Sequence, residues 1–485
     1  MTTLTPRPPY SEEELSRLYP SHLRLEQVQI LLRHGERTPV SARFQASGLH
    51  GSWPYCRAAN ELKSAVFAAD GACDTLSWQR RLETLGKNDA PHLAVGPGGE
   101  VDAICQPGEL TDRGRETTLS LGQRLRTLYI HQLALLPPFL SQSTQSTIHL
   151  RATPIQRALE SVQQTYVGLY PPASRSPALP PTPIIQRSIT DETLFPNERG
   201  CPRFAELAHA FANRAAERWN GSEEMKMLNK RLGKHMPPAT PEVKVDGHPR
   251  LSGIMDSINA TLAHGPATRL PSEFYEQQVR DTIDKICVEE WFGGYEESLE
   301  YRKLGIGGLV GDLTQRMVEH VTAKDEEEKW KMSLSGCHDT TIAATLTALG
   351  GFRTKSDKWP NFTSSIAFEL FARKEDTGAT AGKKGWFAKK GSSDPRAKWE
   401  DMSQEQRERL QGKFVRIRYN DKVVTLPGCK GEGRHLEGDE SFCTLEAFKQ
   451  VADRFTPQDW RGECRTGLGT SAFGQVEMPV GVVEQ

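Results

Sequence analysis

Three short apolar segments of this chain each stop abruptly at a group of cationic or imidazole side chains. Residues 25–32, 146–150 and 330–334 have the length and composition of buried strands, and a pattern typical of a helix follows each one. Strands that alternate with helices indicate a mainly parallel sheet with helices on both faces. Ligands bind such sheets at the carboxyl ends of their strands. We therefore predict an α/β fold whose site lies where these three strands end.

Periodic patterns predict the elements around these segments. Apolar side chains recur every three or four residues over 155–169, which predicts an amphipathic helix. Thr111 can cap a second helix, predicted over 111–134. Segments 364–371 and 414–419 are interpreted as two antiparallel strands.

Composition along the chain predicts a discontinuous core with insertions. The α/β core is predicted over residues 25–187 and 301–470. Charged segments with helical patterns predict an inserted α-helical cap at 188–300. Residues 373–412 have a biased, polar composition that predicts a long exposed loop. Residues 41–108 show no long period and are interpreted as an irregular segment with short helices.

The charge balance argues against the strongly basic classes of protein. The 61 Lys and Arg residues and 62 Asp and Glu residues give a formal net charge of -1 at pH 7. Proteins that bind nucleic acid or membrane surfaces usually carry a basic excess, so no nucleic-acid partner is predicted. No apolar run approaches the roughly 18 residues of a transmembrane segment. Because no signal peptide is visible, we expect an intracellular, cytoplasmic protein, with a mitochondrial location as the alternative.

The nine cysteines are scattered and give no metal-site pattern. No two of them have Cys-x-x-Cys spacing, so neither a zinc site nor a thioredoxin-like site is predicted. Without a signal peptide, most of these cysteines are expected to be reduced thiols.

The first junction, Arg33-His34-Gly35-Glu36-Arg37, has the chemistry that a phosphohistidine enzyme needs. A histidine that attacks phosphorus must be neutral, and flanking guanidinium groups disfavour its charged form. The same groups neutralise the negative charge on the phosphate oxygens in the transition state. Gly35 allows the backbone to approach a ligand closely. The pattern therefore indicates phosphoryl transfer through His34.

The other two junctions supply the remaining groups. Arg151, at the end of the second strand, can enclose a phosphate together with the arginines of the first junction. His338 can donate to a phosphate oxygen, and Asp339 can protonate the leaving alkoxide and later take a proton from water. A neighbouring anion tends to raise the pKa of a carboxyl group, which suits proton donation at mildly acidic pH. Asp339 can also cap the next helix, and capping is compatible with catalysis.

These motifs resemble those of the histidine acid phosphatases, branch two of the phosphoglycerate-mutase-like superfamily. LLRHGERTPV carries the R-H-G-x-R-x-P signature, and GELTDRG at 108–114 is similar to a G-x-L-T-x-x-G element. RATPIQRALESVQQTYVGLYP at 151–171 resembles an R-x-T-x-x-x-R-x-x-x-S segment, and HDTT at 338–341 matches a catalytic His-Asp pair. The resemblance extends over roughly residues 25–455.

The resemblance implies an acid phosphatase that hydrolyses a small phosphomonoester through a phosphohistidine intermediate. His34 is the implied nucleophile and Asp339 the implied proton donor. The implied phosphate-binding residues are Arg33, Arg37, Arg151 and His338. No metal or organic cofactor is implied.

Several alternatives stay open within this resemblance. The missing export signal makes the chain more similar to intracellular lysophosphatidic acid phosphatases than to secreted phytases, so lysophosphatidic acid is one expected substrate. A phosphotransferase or mutase would use the same phosphohistidine, and a non-catalytic inositol-phosphate-binding protein would keep only the fold. Cys201, Cys429 and Cys443 lie where cysteines of the family occur, which leaves their redox state open.

Other residues have both a structural and a functional interpretation. Arg157 is interpreted as a salt-bridge residue, with contact to the site as the alternative, and Glu36 as a rim or salt-bridge residue. His264 is interpreted as a loop histidine of the inserted cap, with a place at the site entrance as the alternative. Three aromatic residues are candidates for either a lipid-binding wall or core packing: Phe44, Trp53 and Tyr55.

Overall fold

A computed structural model describes residues 8–67, 69–323, 330–374 and 394–483. Its strands, within these ranges, are β1 (Leu23–Arg33), β2 (Glu61–Phe67), β3 (Cys73–Gln79), β4 (Glu83–Leu85), β5 (Pro91–Leu93), β6 (Ile148–Ala152), β7 (Ile184–Ile185), β8 (Met332–Cys337), β9 (Ser365–Arg373), β10 (Lys413–Tyr419), β11 (Lys422–Val424), β12 (His435–Leu436) and β13 (Asp439–Thr444). Its α-helices are α1 (Glu12–Leu18), α2 (Arg57–Asn60), α3 (Asp112–Arg126), α4 (Gln156–Leu169), α5 (Pro202–Trp219), α6 (Glu223–Leu232), α7 (Leu251–Ala263), α8 (Gln277–Glu297), α9 (Leu299–Arg302), α10 (Gly308–Thr322), α11 (Asp339–Ala348), α12 (Gln404–Leu410), α13 (Leu445–Asp453) and α14 (Trp460–Glu463).

The three segments predicted as parallel strands are neighbours at the centre of one sheet. The strand order is β12-β13-β10-β9-β1-β8-β6-β7, with β11 beside β10. Strand β8 pairs in parallel with β1 on one side and with β6 on the other, so their carboxyl ends meet at one edge. Strands β9 and β10 pair antiparallel, as predicted for 364–371 and 414–419. The predicted α/β fold is therefore confirmed.

Alternate side chains of β1 enter two apolar cores on opposite faces of the sheet. Val28, Ile30 and Leu32 pack into a core that includes apolar side chains of α3 and α4. Leu31 belongs to the other core, which includes side chains of α10, α11 and the helices of the 188–300 segment. Each fully buried aliphatic side chain contributes about 1.5–3 kcal/mol relative to exposure. Burial on both faces thus fixes β1, and the residues that follow it, in the middle of the molecule.

The segment 188–300 contains helices α5 to α8 and, over its fully described length, no strand. Helix α8 packs against α5, α7 and α11, so this segment contacts the helix that begins at the predicted His-Asp pair. The domain boundaries themselves stay a prediction. Of the predicted 373–412 loop, residues 375–393 lie outside the described part of the chain, and 404–410 form helix α12.

Two sequence expectations are wrong in the structure. The 41–108 segment contains two antiparallel hairpins, β2–β3 and β4–β5, rather than only short helices. Their side chains are largely exposed, so no buried face produced a strand-like pattern in the sequence. Most cysteines are expected from the sequence to be reduced thiols, with the redox state of Cys201, Cys429 and Cys443 left open, yet six of the nine form the disulfides Cys56–Cys105, Cys201–Cys464 and Cys429–Cys443. Partners separated by 49, 263 and 14 residues give no spacing signal that could have identified them.

The helices of the described residues were also compared with the requirements of a membrane span. None of them is long and apolar enough to cross a bilayer.

Candidate active site

His34 lies directly after β1 and is held in one tautomer. Its Nδ1 is 2.9 Å from the carbonyl oxygen of Gly35, and because a carbonyl can only accept, Nδ1 carries the proton. The lone pair is then on Nε2. Burial lowers the pKa of His34 well below its usual value, and the charges of Arg157, Arg33 and Arg37 lower it further. His34 is therefore a neutral imidazole with a free Nε2 at mildly acidic pH.

Gly35 is required by close packing of the motif against helix α3. A Cβ atom on Gly35 would lie 2.3 Å from the backbone oxygen of Gly114 in the first turn of α3. The Gly35 N–H donates to Ser161 Oγ on α4 at 3.1 Å. From the sequence, Gly35 is expected to let a ligand approach the backbone closely. In the structure it instead lets helix α3 pack closely against this backbone.

Two arginines of the motif flank the histidine from different sides. The Arg33 guanidinium donates to Asp339 Oδ2 at 2.7 Å and to the Pro360 carbonyl at 2.5 Å. Arg37 Nη1 donates to Asp256 Oδ1 of helix α7 at 2.6 Å. Both arginines are buried, and each guanidinium forms an ion pair with a carboxylate. Asp256 is not predicted from the sequence, because its carboxylate comes from the inserted segment.

His338 and Asp339 follow β8 and begin helix α11. The ring centroids of His338 and His34 are 5.5 Å apart, and His338 Nε2 lies 3.1 Å from Thr153 Oγ1. Burial, together with the Arg157 charge, lowers the pKa of His338 to about 3. His338 is accordingly neutral in the ligand-free site.

Asp339 is a carboxylate in the ligand-free site. Burial raises its pKa, but Arg33, Arg37 and a hydrogen bond from the Trp359 indole together lower it to about 2. The raised pKa expected for Asp339 from the sequence is therefore wrong in the structure, because the two guanidinium groups and the indole N–H outweigh the effect of burial.

Arg151 does not lie with these residues. It is in register with Ser335, which pairs with Leu31, so its side chain faces helix α10. There it forms a 2.5 Å ion pair with the buried Glu192 and lies 3.6 Å from Asp312. The placement predicted for Arg151 is wrong, because its side chain leaves the sheet on this face before the strand ends.

Arg157, rather than Arg151, acts electrostatically on the two histidines of the site. It lies in the first turn of α4, and its charge is the largest of those that lower the pKa of His34 and His338. The pKa of Arg157 itself is lowered to about 10 by burial and by Arg37. The functional alternative considered for Arg157 is thus the one that its electrostatic effect on both histidines supports.

Alanine substitutions at these two arginines should have different consequences. Arg157→Ala is expected to lower kcat/KM for phosphomonoesters by about 10²-fold with little loss of stability, since one donor to the phosphate is lost. Arg151→Ala leaves the buried Glu192 unpaired and should lower the free energy of unfolding by about 3–5 kcal/mol. Steady-state kinetics and thermal melts of both variants measure this. The opposite pattern, with Arg151→Ala inactive but stable, would restore the original assignment.

A loop that the sequence analysis did not identify covers the same group. Residues 359–363 follow α11 by ten residues and approach the site from the side of the sheet occupied by β9. The Phe362 ring lies 4.2 Å beneath the Arg33 guanidinium, and Thr363 N–H donates to the His34 carbonyl at 3.1 Å. The Trp359 indole donates to Asp339 Oδ2 at 3.0 Å. No charge pattern marks this loop in the sequence.

A cavity of about 820 Å³, much larger than a phosphate, lies against part of this group. Arg33, Arg37 and Asp339 form one part of its wall. The remainder comes from Thr340, Trp359 and Phe362, from residues 40–46 and from the helical segment, and many of those side chains are apolar. They include Phe44, Met236, Pro237, Pro238, Met255 and Trp291.

The other candidates lie outside this cavity. Glu36 is fully buried and accepts a hydrogen bond from Thr117, so it is neither a rim nor a salt-bridge residue. His264 stacks on Tyr55 and bonds to Thr111 Oγ1 at 2.8 Å, away from the cavity wall. Trp53 packs against both rings. Of the three aromatic residues considered for a lipid-binding wall, Phe44 alone is among the cavity-lining residues.

One cluster within the described residues has the proximity required of metal ligands. It consists of Cys56, Cys105 and Glu109. Its cysteines form a disulfide and supply no thiolates, and Glu109 is paired with Arg80 at 2.6 Å. This cluster therefore does not fit a metal ion.

Comparison with known proteins identifies one family and several relatives of this chain. The profile of the histidine phosphatase superfamily (branch 2) matches residues 24–420. A Schizosaccharomyces pombe protein named "Probable acid phosphatase" is 33% identical over 463 residues, 92% of this chain and 95% of its own. Human lysophosphatidic acid phosphatase type 6 is 25% identical over 287 residues, 58% of this chain and 59% of its own.

Solved structures show the same fold at low sequence identity. Hafnia alvei phytase, in complex with myo-inositol hexakis sulphate, aligns with a TM-score of 0.53 and 14% identity over 92% of this chain and 99% of its own. Bifidobacterium longum multiple inositol polyphosphate phosphatase, in complex with inositol hexasulfate, aligns with a TM-score of 0.51 and 12% identity over 93% of this chain and 95% of its own.

Proposed function

This chain belongs to branch 2 of the histidine phosphatase superfamily and is a phosphomonoester hydrolase, and we propose that it acts through a phosphohistidine at His34. The observation that carries this proposal is the state of His34, which is buried, neutral and fixed with Nε2 unprotonated. The alternative of a non-catalytic binding protein is not retained.

In the first step, Nε2 of His34 attacks phosphorus and the bond from phosphorus to the ester oxygen breaks. Asp339 gives its proton to the departing oxygen. Arg33, Arg37, Arg157 and His338 stabilise the charge on the equatorial oxygens. In the second step, Asp339 takes a proton from water, the resulting hydroxide attacks phosphorus, and inorganic phosphate leaves as the bond to Nε2 breaks.

The proton for the first step must be present in the complex of enzyme and substrate, on either Asp339 or the ester. Asp339 is ionised in the free site, with a pKa of about 2. A phosphate dianion bound between Arg33 and Arg37 offsets those cations and raises the pKa of Asp339. Alternatively, a monoanionic ester, whose second pKa is about 6, carries the proton into the site and gives it to Asp339. We therefore expect the highest activity at acid to neutral pH.

The cavity supports a substrate that carries an apolar group, of which lysophosphatidic acid is one and other small phosphomonoesters are alternatives. We expect kcat/KM for lysophosphatidic acid to exceed that for glycerol 3-phosphate at least about tenfold, since each buried methylene contributes about 0.8 kcal/mol. Phosphate release without an added acceptor measures this and distinguishes hydrolysis from phosphotransfer.

A cavity variant provides the control for that comparison. Met236→Ser should lower kcat/KM for lysophosphatidic acid and leave that for glycerol 3-phosphate within about twofold, because Met236 lies on the apolar wall. Equal rates on both esters, or a preference for inositol hexakisphosphate, would show that the apolar wall does not select the substrate.

We propose an oxidising compartment for this protein, in place of the cytoplasmic location predicted from its sequence. The proposal is supported by the three disulfides, which persist in oxidising environments and are rare in the cytosol.

A further inference from the structure

The Asp339 carboxylate is held by three N–H donors. Thr340 N–H donates to Oδ1 at 2.9 Å. Oδ2 accepts from Arg33 Nη2 at 2.7 Å and from Trp359 Nε1 at 3.0 Å. A carboxylate oxygen has two lone pairs, and both lone pairs of Oδ2 are taken by groups that can only donate. A proton on Asp339 must therefore be carried by Oδ1.

Of the two donors to Oδ2, Trp359 is the one that a bound phosphate ester would not engage. Arg33 belongs to the group that would bind phosphate, so a bound ester would share its guanidinium. An indole N–H is neutral and makes a single hydrogen bond, which here goes to Asp339. Trp359 thus holds the carboxyl group through a contact that does not depend on the phosphate-binding guanidinium.

Trp359 is itself fixed by helix α8 of the inserted segment. Its ring packs against Phe292 and Trp291 at centroid distances of 5.0 and 5.9 Å. Its backbone N–H lies 3.2 Å from Asp284 Oδ1 on the same helix. Only 9% of the Trp359 surface is exposed. The contact to Asp339 therefore originates from a packed helix rather than from a free loop.

We propose that Trp359 is a positioning residue for the proton donor: helix α8 holds its indole N–H on Asp339 Oδ2, so that Oδ1 carries the transferable proton. This inference rests on the proposed role of Asp339. In the first step the proton leaves Oδ1 for the ester oxygen as the bond to phosphorus breaks, and Oδ1 regains a proton from water in the second.

Five charged or titratable groups act on Asp339 from the surrounding elements. They are Arg33 of β1, Arg37 of the following loop, Arg157 of α4, the Cys337 thiol of β8 and the adjacent His338. The substitution Trp359→Phe leaves all of them in place and keeps the packed ring. It removes one donor that favours the ionised carboxyl, so the Asp339 pKa should rise.

The test compares two esters that differ in their need for an acid. We expect Trp359→Phe to lower kcat/KM about tenfold for phenyl phosphate, whose leaving group is basic, and less than about threefold for 4-nitrophenyl phosphate. Inhibition by inorganic phosphate should stay within about twofold of wild type. The alkaline limb of kcat, which reports the enzyme–substrate complex in which Asp339 carries the proton, should move up by about one pH unit.

Two further variants separate positioning from general damage. Asp284→Ala should shift the ratio of the two kcat/KM values in the same direction, while Asp284→Asn, which keeps an acceptor, should restore it. Trp460→Phe is the matched control, because its indole donates to the Leu304 carbonyl at 2.9 Å away from the site. It should behave like wild type.

An unchanged ratio and pH profile in Trp359→Phe would overturn the positioning role, as would equal losses on both esters. These results differ from failure of the proposed function, which would appear as activity that survives His34→Ala. If Trp359→Phe does not fold, the Asp284 pair still decides, since an unchanged ratio in a folded Asp284→Ala also overturns the inference.

Discussion

Replacement of His34 by alanine should lower kcat for phosphomonoesters by about 10⁴-fold or more, the largest loss expected for any single residue. In the proposed mechanism, Nε2 of His34 forms the covalent bond to phosphorus. Among the site residues described above, none is a second neutral nucleophile that could replace it. His338 is the nearest second imidazole, but its Nε2 contacts Thr153 Oγ1. The protein should stay folded, because the removed ring makes a single hydrogen bond to a neighbouring carbonyl.

The matched control for His34 is His209, whose side chain is 77% exposed. His209→Ala should leave kcat and KM unchanged. Binding of inorganic phosphate to His34→Ala, measured by calorimetry, should persist because the arginines remain. Activity in His34→Ala within tenfold of wild type would refute the phosphohistidine route.

Replacement of Asp339 by asparagine should lower kcat/KM by about 10²- to 10⁴-fold for esters with basic leaving groups. The amide keeps the size of the carboxyl group and cannot transfer a proton. The loss should be smaller for 4-nitrophenyl phosphate, whose leaving group needs little protonation. For that ester the second step should then become limiting, because the amide cannot take a proton from water.

The ionisation of Asp339 also determines how the activity of the wild-type enzyme changes with pH. Asp339 is ionised in the free enzyme, so the proton enters with a monoanionic ester and kcat/KM should fall as pH rises above about 6. The decrease of kcat/KM with rising pH should be smaller in Asp339→Asn. Asp102→Asn, at a side chain that is 48% exposed, is the control and should keep the wild-type profile. A full wild-type rate in Asp339→Asn on phenyl phosphate would remove Asp339 from the mechanism.

The central sheet was predictable because its strands have a simple pattern. β1, β6 and β8 are short apolar segments that end in charged residues, and parallel pairing brings those ends together without further information. The same rule placed His34, His338 and Asp339 at one edge. The two exposed hairpins at 61–93 lack a buried face and so lacked a periodic signal.

The arginine proposed here to bind phosphate differs from the one expected from the sequence, for a local reason. Arg151 ends a strand as the rule requires, but the direction of its side chain depends on register, which pairs it with Ser335 and turns it toward Asp312. Arg157 reaches the site from the first turn of the next helix. Asp256 and Trp359 come from distant segments, and their contacts with Arg37 and Asp339 depend on how the helical segment packs.

The most direct test of the account is isolation of the covalent intermediate. Wild-type protein and Asp339→Asn would be mixed with a ³²P-labelled phosphomonoester, denatured within milliseconds at alkaline pH and digested into peptides. We predict label on the peptide that contains His34, stable in alkali and lost in acid as expected for a phosphorus–nitrogen bond, with more label in Asp339→Asn. Rapid phosphate release with no labelled peptide, or label on another residue, would contradict the phosphohistidine mechanism.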